Sequence, residues 1–136
     1  MKIEGGCLCG RVRYAGEADP IFVGLCHCTH CQKHTGSAFS GVVAVPTPAL
    51  TVTGPLKSYV DRGDSGAASR RSFCAECGSS VMDDADMMPN VTMVLVGSLD
   101  DPSWFKPQME IYTDSAQSWV ALGGDRPRFG KMPPRG

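Results

Sequence analysis

Seven cysteines stand in three groups, Cys7-x-Cys9, Cys26-x-Cys28-x-x-Cys31 and Cys74-x-x-Cys77, and this spacing constrains the chain more than any other feature. The middle group also carries all three histidines, His27, His30 and His34. An odd number of thiols rules out complete internal pairing. In a reducing compartment, clustered cysteines serve as metal ligands or reactive thiols more often than as disulfides. The N-terminal stretch MKIEGGCLCG has no apolar run of signal-peptide length, and no long apolar run follows it. The expectation is therefore a cytoplasmic protein with no membrane partner. A net charge of −1 makes no case for a nucleic-acid partner either.

Between the cysteines, 16 Gly and 10 Pro leave only short apolar stretches, many of them β-branched. Strands are expected at 11–14, 21–25, 39–45, 50–53, 69–73, 79–82 and 91–96, with short edge elements at 110–113 and 119–122. The run 91–96 is the most apolar and is expected at the centre of its sheet. The segments 69–73 and 79–82 flank Cys74 and Cys77 like the arms of a hairpin. One short helix is expected from a Thr29 cap towards Gly36. Residues 61–68 (DRGDSGAA) read as a mobile loop. The fold class is mostly β, as a single domain over 1–130 with a flexible tail over 131–136. Such a domain loses much glycine entropy on folding, and a metal staple would offset that cost.

Cys74-Ala-Glu-Cys77-Gly78 has zinc-knuckle spacing, with a glycine where tight turns need positive φ. Cys7 and Cys9, two apart, would point to one face of an extended segment. Together they supply the four sulfurs of a closed tetrahedral site. Cys26, Cys28 and Cys31 then form a second site, one ligand short. That position is either open to water and substrate or filled by a histidine. His34 is the main rival, because His27 and His30 lie too close to ligands in sequence to turn onto the same ion. Thiolate-rich sites select zinc or iron–sulfur, and with none of the ferredoxin cysteine spacings present the expectation is zinc, two ions per chain. Arg11, Arg13, Lys33, Arg70 and Arg71 lie near the thiols and would moderate their charge or hold carboxylates of an anionic thiol substrate.

Zinc holds a bound thiol as thiolate, which favours adding sulfur to an aldehyde carbon and, in reverse, expelling it. Three thiolates make the ion a weaker Lewis acid than three imidazoles would, so carbon–sulfur chemistry suits this site better than hydrolysis.

The segments GGCLCGRVRY, CHCTHCQKHTGSAFS, RRSFCAECGSSVM, VGSLDDP and SWVAL resemble, in that order, the glutathione-dependent formaldehyde-activating enzyme family, which includes the centromere protein V relatives. The resemblance implies a fold of several short coiled antiparallel β-sheets stapled by zinc. It implies a structural zinc on Cys7, Cys9, Cys74 and Cys77 and a catalytic zinc on Cys26, Cys28 and Cys31. It implies a carbon–sulfur lyase that interconverts formaldehyde plus glutathione with S-hydroxymethylglutathione, or treats a related small thiol in the same way. Residues 35–39 match the family's small-residue stretch beside the pocket. A homodimer is compatible with this reading. The alternative is a zinc-stabilised module that binds protein or nucleic acid without catalysis, and a third reading is a redox protein using the middle thiols.

Overall fold

Short β-branched runs between turn residues become strands along most of the chain. A computed structural model describes residues 1–63 and 66–134. Its elements begin with β1 (Lys2–Gly6), β2 (Arg13–Glu17), β3 (Phe22–Cys26), α1 (Thr29–Thr35), β4 (Ser40–Pro46) and β5 (Leu50–Thr53). They continue with β6 (Leu56–Arg62), β7 (Ala68–Cys74), β8 (Ser80–Ala85), β9 (Val91–Leu95) and β10 (Met109–Ile111). The mostly β class is as expected, and the strands form two sheets. One has three strands in the order β1-β2-β5, the other seven in the order β10-β3-β4-β9-β8-β7-β6. β9 holds the centre of the larger sheet, as its apolar run predicts. β10 lies parallel to β3, with Glu110 opposite Leu25 and Ile111 opposite Cys26, whereas every other strand pair is antiparallel.

One core joins the sheets. Ile3 and Tyr14 from the small sheet, with Val12 just before β2, share it with Val43, Val45, Val81 and Val94 from the large one, all almost wholly excluded from water. Tyr14 carries its hydroxyl inward and bonds the Ser98 hydroxyl at 2.7 Å, so no buried oxygen is orphaned there. The sheets also touch through backbone at Gly5, which bridges Leu99. A Cβ on Gly5 would lie 2.1 Å from the Ser98 carbonyl oxygen, so only glycine permits this approach.

Several expectations shift. β1 is unforeseen because Gly5 and Gly6 weaken its strand signal, yet glycine is what the sheet contact needs. The strand expected over 11–14 runs instead over Arg13–Glu17. β6 is an edge strand with exposed residues on both faces, so it lacks the period-two alternation that marks a half-buried strand. It absorbs Asp61 and Arg62, and β7 absorbs Ala68, from the expected 61–68 loop; Asp64 and Ser65 of that loop lie outside the described residues. Arg135 and Gly136 of the expected tail lie outside them too. The segment 119–122 forms no strand, and Trp119 is exposed. The cap of α1 is Cys28 rather than Thr29. The chain is still extended at Cys28, and its sulfur accepts the Cys31 amide at 3.2 Å. At the other end, Gly36 closes the helix in left-handed conformation. Among the described residues no helix is long and apolar enough to cross a membrane.

Candidate functional site

The outer cysteine pairs come from different sheets and meet at one point. Cys7 and Cys9 follow β1, Cys74 ends β7, and Cys77 lies in the turn before β8. Cys9 Sγ stands 3.5 Å from Cys7 Sγ and 3.8 Å from Cys74 Sγ, and all four sulfurs lie within 4.8 Å of one another. Thiolates about 2.3 Å from a tetrahedral zinc sit about 3.8 Å apart, so number, chemistry and spacing all fit such an ion. Cys7 and Cys9 converge through a turn, closed by Gly10 N donating to Cys7 O, rather than as neighbours on one strand face. Gly78 adopts φ +76°, the positive value that the knuckle spacing predicts. Backbone amides of Val12 and Glu76 donate to the sulfurs of Cys7 and Cys74 at 3.2 and 3.3 Å. The Ser79 hydroxyl, and then its backbone, pull the Cys77 thiol down to about 5. At Cys7 and Cys77 such donors favour the thiolate, the form that binds metal.

Cys26 ends β3, Cys28 caps α1 and Cys31 lies in its first turn, so one strand-to-helix corner delivers three buried sulfurs within 4.8 Å of each other. Ile111 and Tyr112 pack against them. Tyr112 holds φ +56°, a strained value for a bulky residue. Hydrogen bonding within the trio divides the charge unequally. Cys26, paired with Cys28 and Cys31, is pushed far above the ordinary thiol value. Cys31 is held far below it by Cys26 and Cys28, with help from the Arg71 charge.

Each imidazole turns to a carboxylate. His27 is buried with Nε2 2.8 Å from Glu110 Oε1. His30 Nδ1 is 2.8 Å from Asp61 Oδ2, and His34 Nε2 is 3.0 Å from Asp83 Oδ1. Among the described residues no histidine nitrogen or carboxylate joins the donor cluster of the three sulfurs. His34, the sequence's rival for the fourth position, is thus placed against Asp83.

Arg71 is the hub. It is almost buried, and its Nη1 approaches Cys31 Sγ at 3.4 Å and Asp83 Oδ2 at 3.1 Å while Nε donates to Asp61 at 3.2 Å. Burial opposes its charge, but the Cys31 thiolate and Asp83 more than offset that and raise its pKa. The same guanidinium lines a cavity of about 510 Å³ between α1 and β6–β7, with His30, His34, Tyr59, Asp61 and Phe73 among its walls. The cavity therefore borders the trio through Arg71.

Glu110 joins the corner to the C-terminal segment. Its second oxygen takes Arg128 Nε at 2.8 Å and lies 2.9 Å from Arg126 Nε. Its backbone pairs with Pro127 and Phe129, while Ile111 O accepts the His27 amide. Asp61, Asp83 and Glu110 escape sequence reasoning. Asp61 sits in a stretch that reads as loop, and nothing local marks Asp83 or Glu110 as buried. The adjacency of three histidines to the thiols, each needing a partner to fix its ring, is the signal that asks for carboxylates.

Over residues 2–115 the chain matches the model of a protein family described as glutathione-dependent formaldehyde-activating enzyme. Two relatives carry that name. One, from Emericella nidulans, is 38% identical over 77 residues, which is 57% of this chain and 39% of the relative. The other, from Phaeosphaeria nodorum, is 32% identical over 119 residues, 84% of this chain and 61% of the relative. The chain thus spans about two fifths and three fifths of their lengths. In fold it is similar to a Rhodobacter sphaeroides protein solved by crystallography, with a TM-score of 0.58 at 20% identity, covering 93% of this chain and 99% of that one.

Proposed function

The chain belongs to the glutathione-dependent formaldehyde-activating enzyme family, and on that footing we propose that it is a zinc-dependent carbon–sulfur lyase. Its substrate would be a small thiol adduct of the S-hydroxymethylglutathione type. Cys7, Cys9, Cys74 and Cys77 would hold a structural ion, and Cys26, Cys28 and Cys31 a catalytic one. At the trio, zinc would supply stabilisation of a substrate sulfur as thiolate. The observation that carries the reading is the buried three-sulfur cluster, with no fourth donor of the His, Cys, Asp or Glu type among the described residues, beside a cavity of ligand size.

In the forward direction the thiol sulfur bonds to the aldehyde carbon, and the carbonyl oxygen becomes a hydroxyl by taking a proton. In reverse, the hydroxyl loses its proton as the carbon–sulfur bond breaks. The chain's own groups would serve these demands. Arg71 keeps Cys31 ionised and balances trio charge. His30, hydrogen-bonded to Asp61, and His34, its Nε2 3.0 Å from Asp83 Oδ1, both line the cavity and would be the groups that hold a proton there.

Metal analysis of protein purified without added zinc should give two zinc ions per chain. Exchange NMR of formaldehyde with glutathione should show exchange accelerated on the order of 10²-fold over the spontaneous background. A chelator that strips one ion should remove that acceleration. Acceleration that persists in metal-free protein would overturn the reading.

A further inference from the structure

The cavity beside the trio is far larger than formaldehyde needs, so it fits the thiol partner. Its polar inventory bears on what that thiol carries. Of the five cations that the sequence gathers near the thiols, Arg11 faces Glu76, Arg13 pairs with Asp100, and Arg70 bonds Asp84 and Asp86. None of those three lines the cavity. Lys33 and Arg71 do.

Lys33 projects from α1 one turn beyond Thr29, and its ammonium has no acid partner among the described residues. Arg71 uses Nε and Nη1 for Asp61, Asp83 and Cys31, whereas its Nη2 makes none of the hydrogen bonds found among the described residues. Asp61, the acid on the cavity wall, is already engaged by His30 and Arg71 and held below the usual carboxylate range. Lys33 is therefore an uncommitted cation on the cavity wall, with the Arg71 guanidinium lining the same space. Tyr59 and Phe73 supply flat apolar surface beside them.

We propose that Lys33, assisted by Arg71 Nη2, receives a carboxylate of the thiol substrate and is the residue that selects anionic thiols over neutral ones. This rests on the lyase reading and narrows its substrate class. Arg71 is committed to the trio and cannot be altered without disturbing it. Lys33 is exposed and can be replaced with little cost to folding.

The test compares glutathione with glutathione diethyl ester, which carries the same thiol with both carboxylates masked, in formaldehyde exchange. The unmodified protein should favour glutathione through KM. Lys33→Gln should raise KM for glutathione about fivefold and leave that for the diester within about twofold, since an exposed ion pair contributes little more than that. Lys33→Arg should restore most of the preference. Equal use of the two thiols by the unmodified protein, or a Lys33→Gln variant with the parent's KM ratio, would overturn the assignment and leave the lyase reading standing. Acceleration of neither thiol would overturn both.

Discussion

Cys74→Ser should abolish the cooperative thermal transition of this chain, whereas Cys28→Ser should keep it and lose one metal ion. Cys9 and Cys74 are 65 positions apart, and an ion shared between them would tie the small sheet to the β7–β8 hairpin of the large one. In the chain-entropy model such a link constrains the unfolded chain by roughly 4 kcal/mol, and coordination of a structural zinc adds about 10 kcal/mol or more in small peptides. Cys74 is wholly buried, so a serine there also places a weakly coordinating hydroxyl in a sulfur-sized space. The trio differs because its three ligands lie within one corner of the chain. Linking them constrains roughly half as much entropy, and the corner is also held by α1 and β10. Circular dichroism melts with metal analysis on both variants check this. Equal destabilisation of the two would show that the division between a structural and a reactive cluster is wrong.

The second large effect is expected at Glu110, which touches no sulfur. Glu110→Gln should lower stability by about 3 kcal/mol, or roughly 10 °C in melting midpoint. It should also weaken metal retention at the trio by about tenfold or more, as loss of such supporting partners does elsewhere. Glu110 is buried, and its loss uncouples His27 from Arg126 and Arg128. The cost falls at the low end for a broken buried pair, because Arg128 is 41% exposed on its side chain and can turn to water. Competition with a chromogenic chelator reads the metal effect separately from the melt. A variant that melts lower but holds both ions as tightly as the parent would assign Glu110 to the fold alone. Arg128→Gln is the milder control and should cost less than half as much.

The two clusters and the central strand were legible because they leave local marks. Ligand spacing records which sulfurs can meet in a tight turn, and the run at Val91–Val96 records burial on both faces. Gly78 was legible for the same reason, since the knuckle turn needs its positive φ. What stayed hidden depends on partners distant in the chain. β6 carries exposed Lys57, Ser58, Tyr59 and Val60 in succession, and only its pairing with β7 makes it a strand. Gly5 reads as a strand breaker until the Ser98 backbone is seen against it. Of the five nearby cations, the sequence placed all at the thiols' doorstep, but only the fold shows three of them already facing acids elsewhere. The histidines were legible as groups needing an explanation. Their carboxylates, between 31 and 83 positions away, were not.

The parallel strand β10 and the residues clasped to it have a consequence for how the protein is made. All seven cysteines precede Glu110 in the chain, so a ribosome releases both complete sets of sulfurs before it delivers the group that steadies His27 between two of them. Until residue 128 has emerged, the corner at Cys26–Cys31 lacks both Glu110 against His27 and the Arg128 that pairs with Glu110. Emergence of residues 110–128 therefore separates a chain that merely contains the sulfurs from one in which His27 is held between two of them.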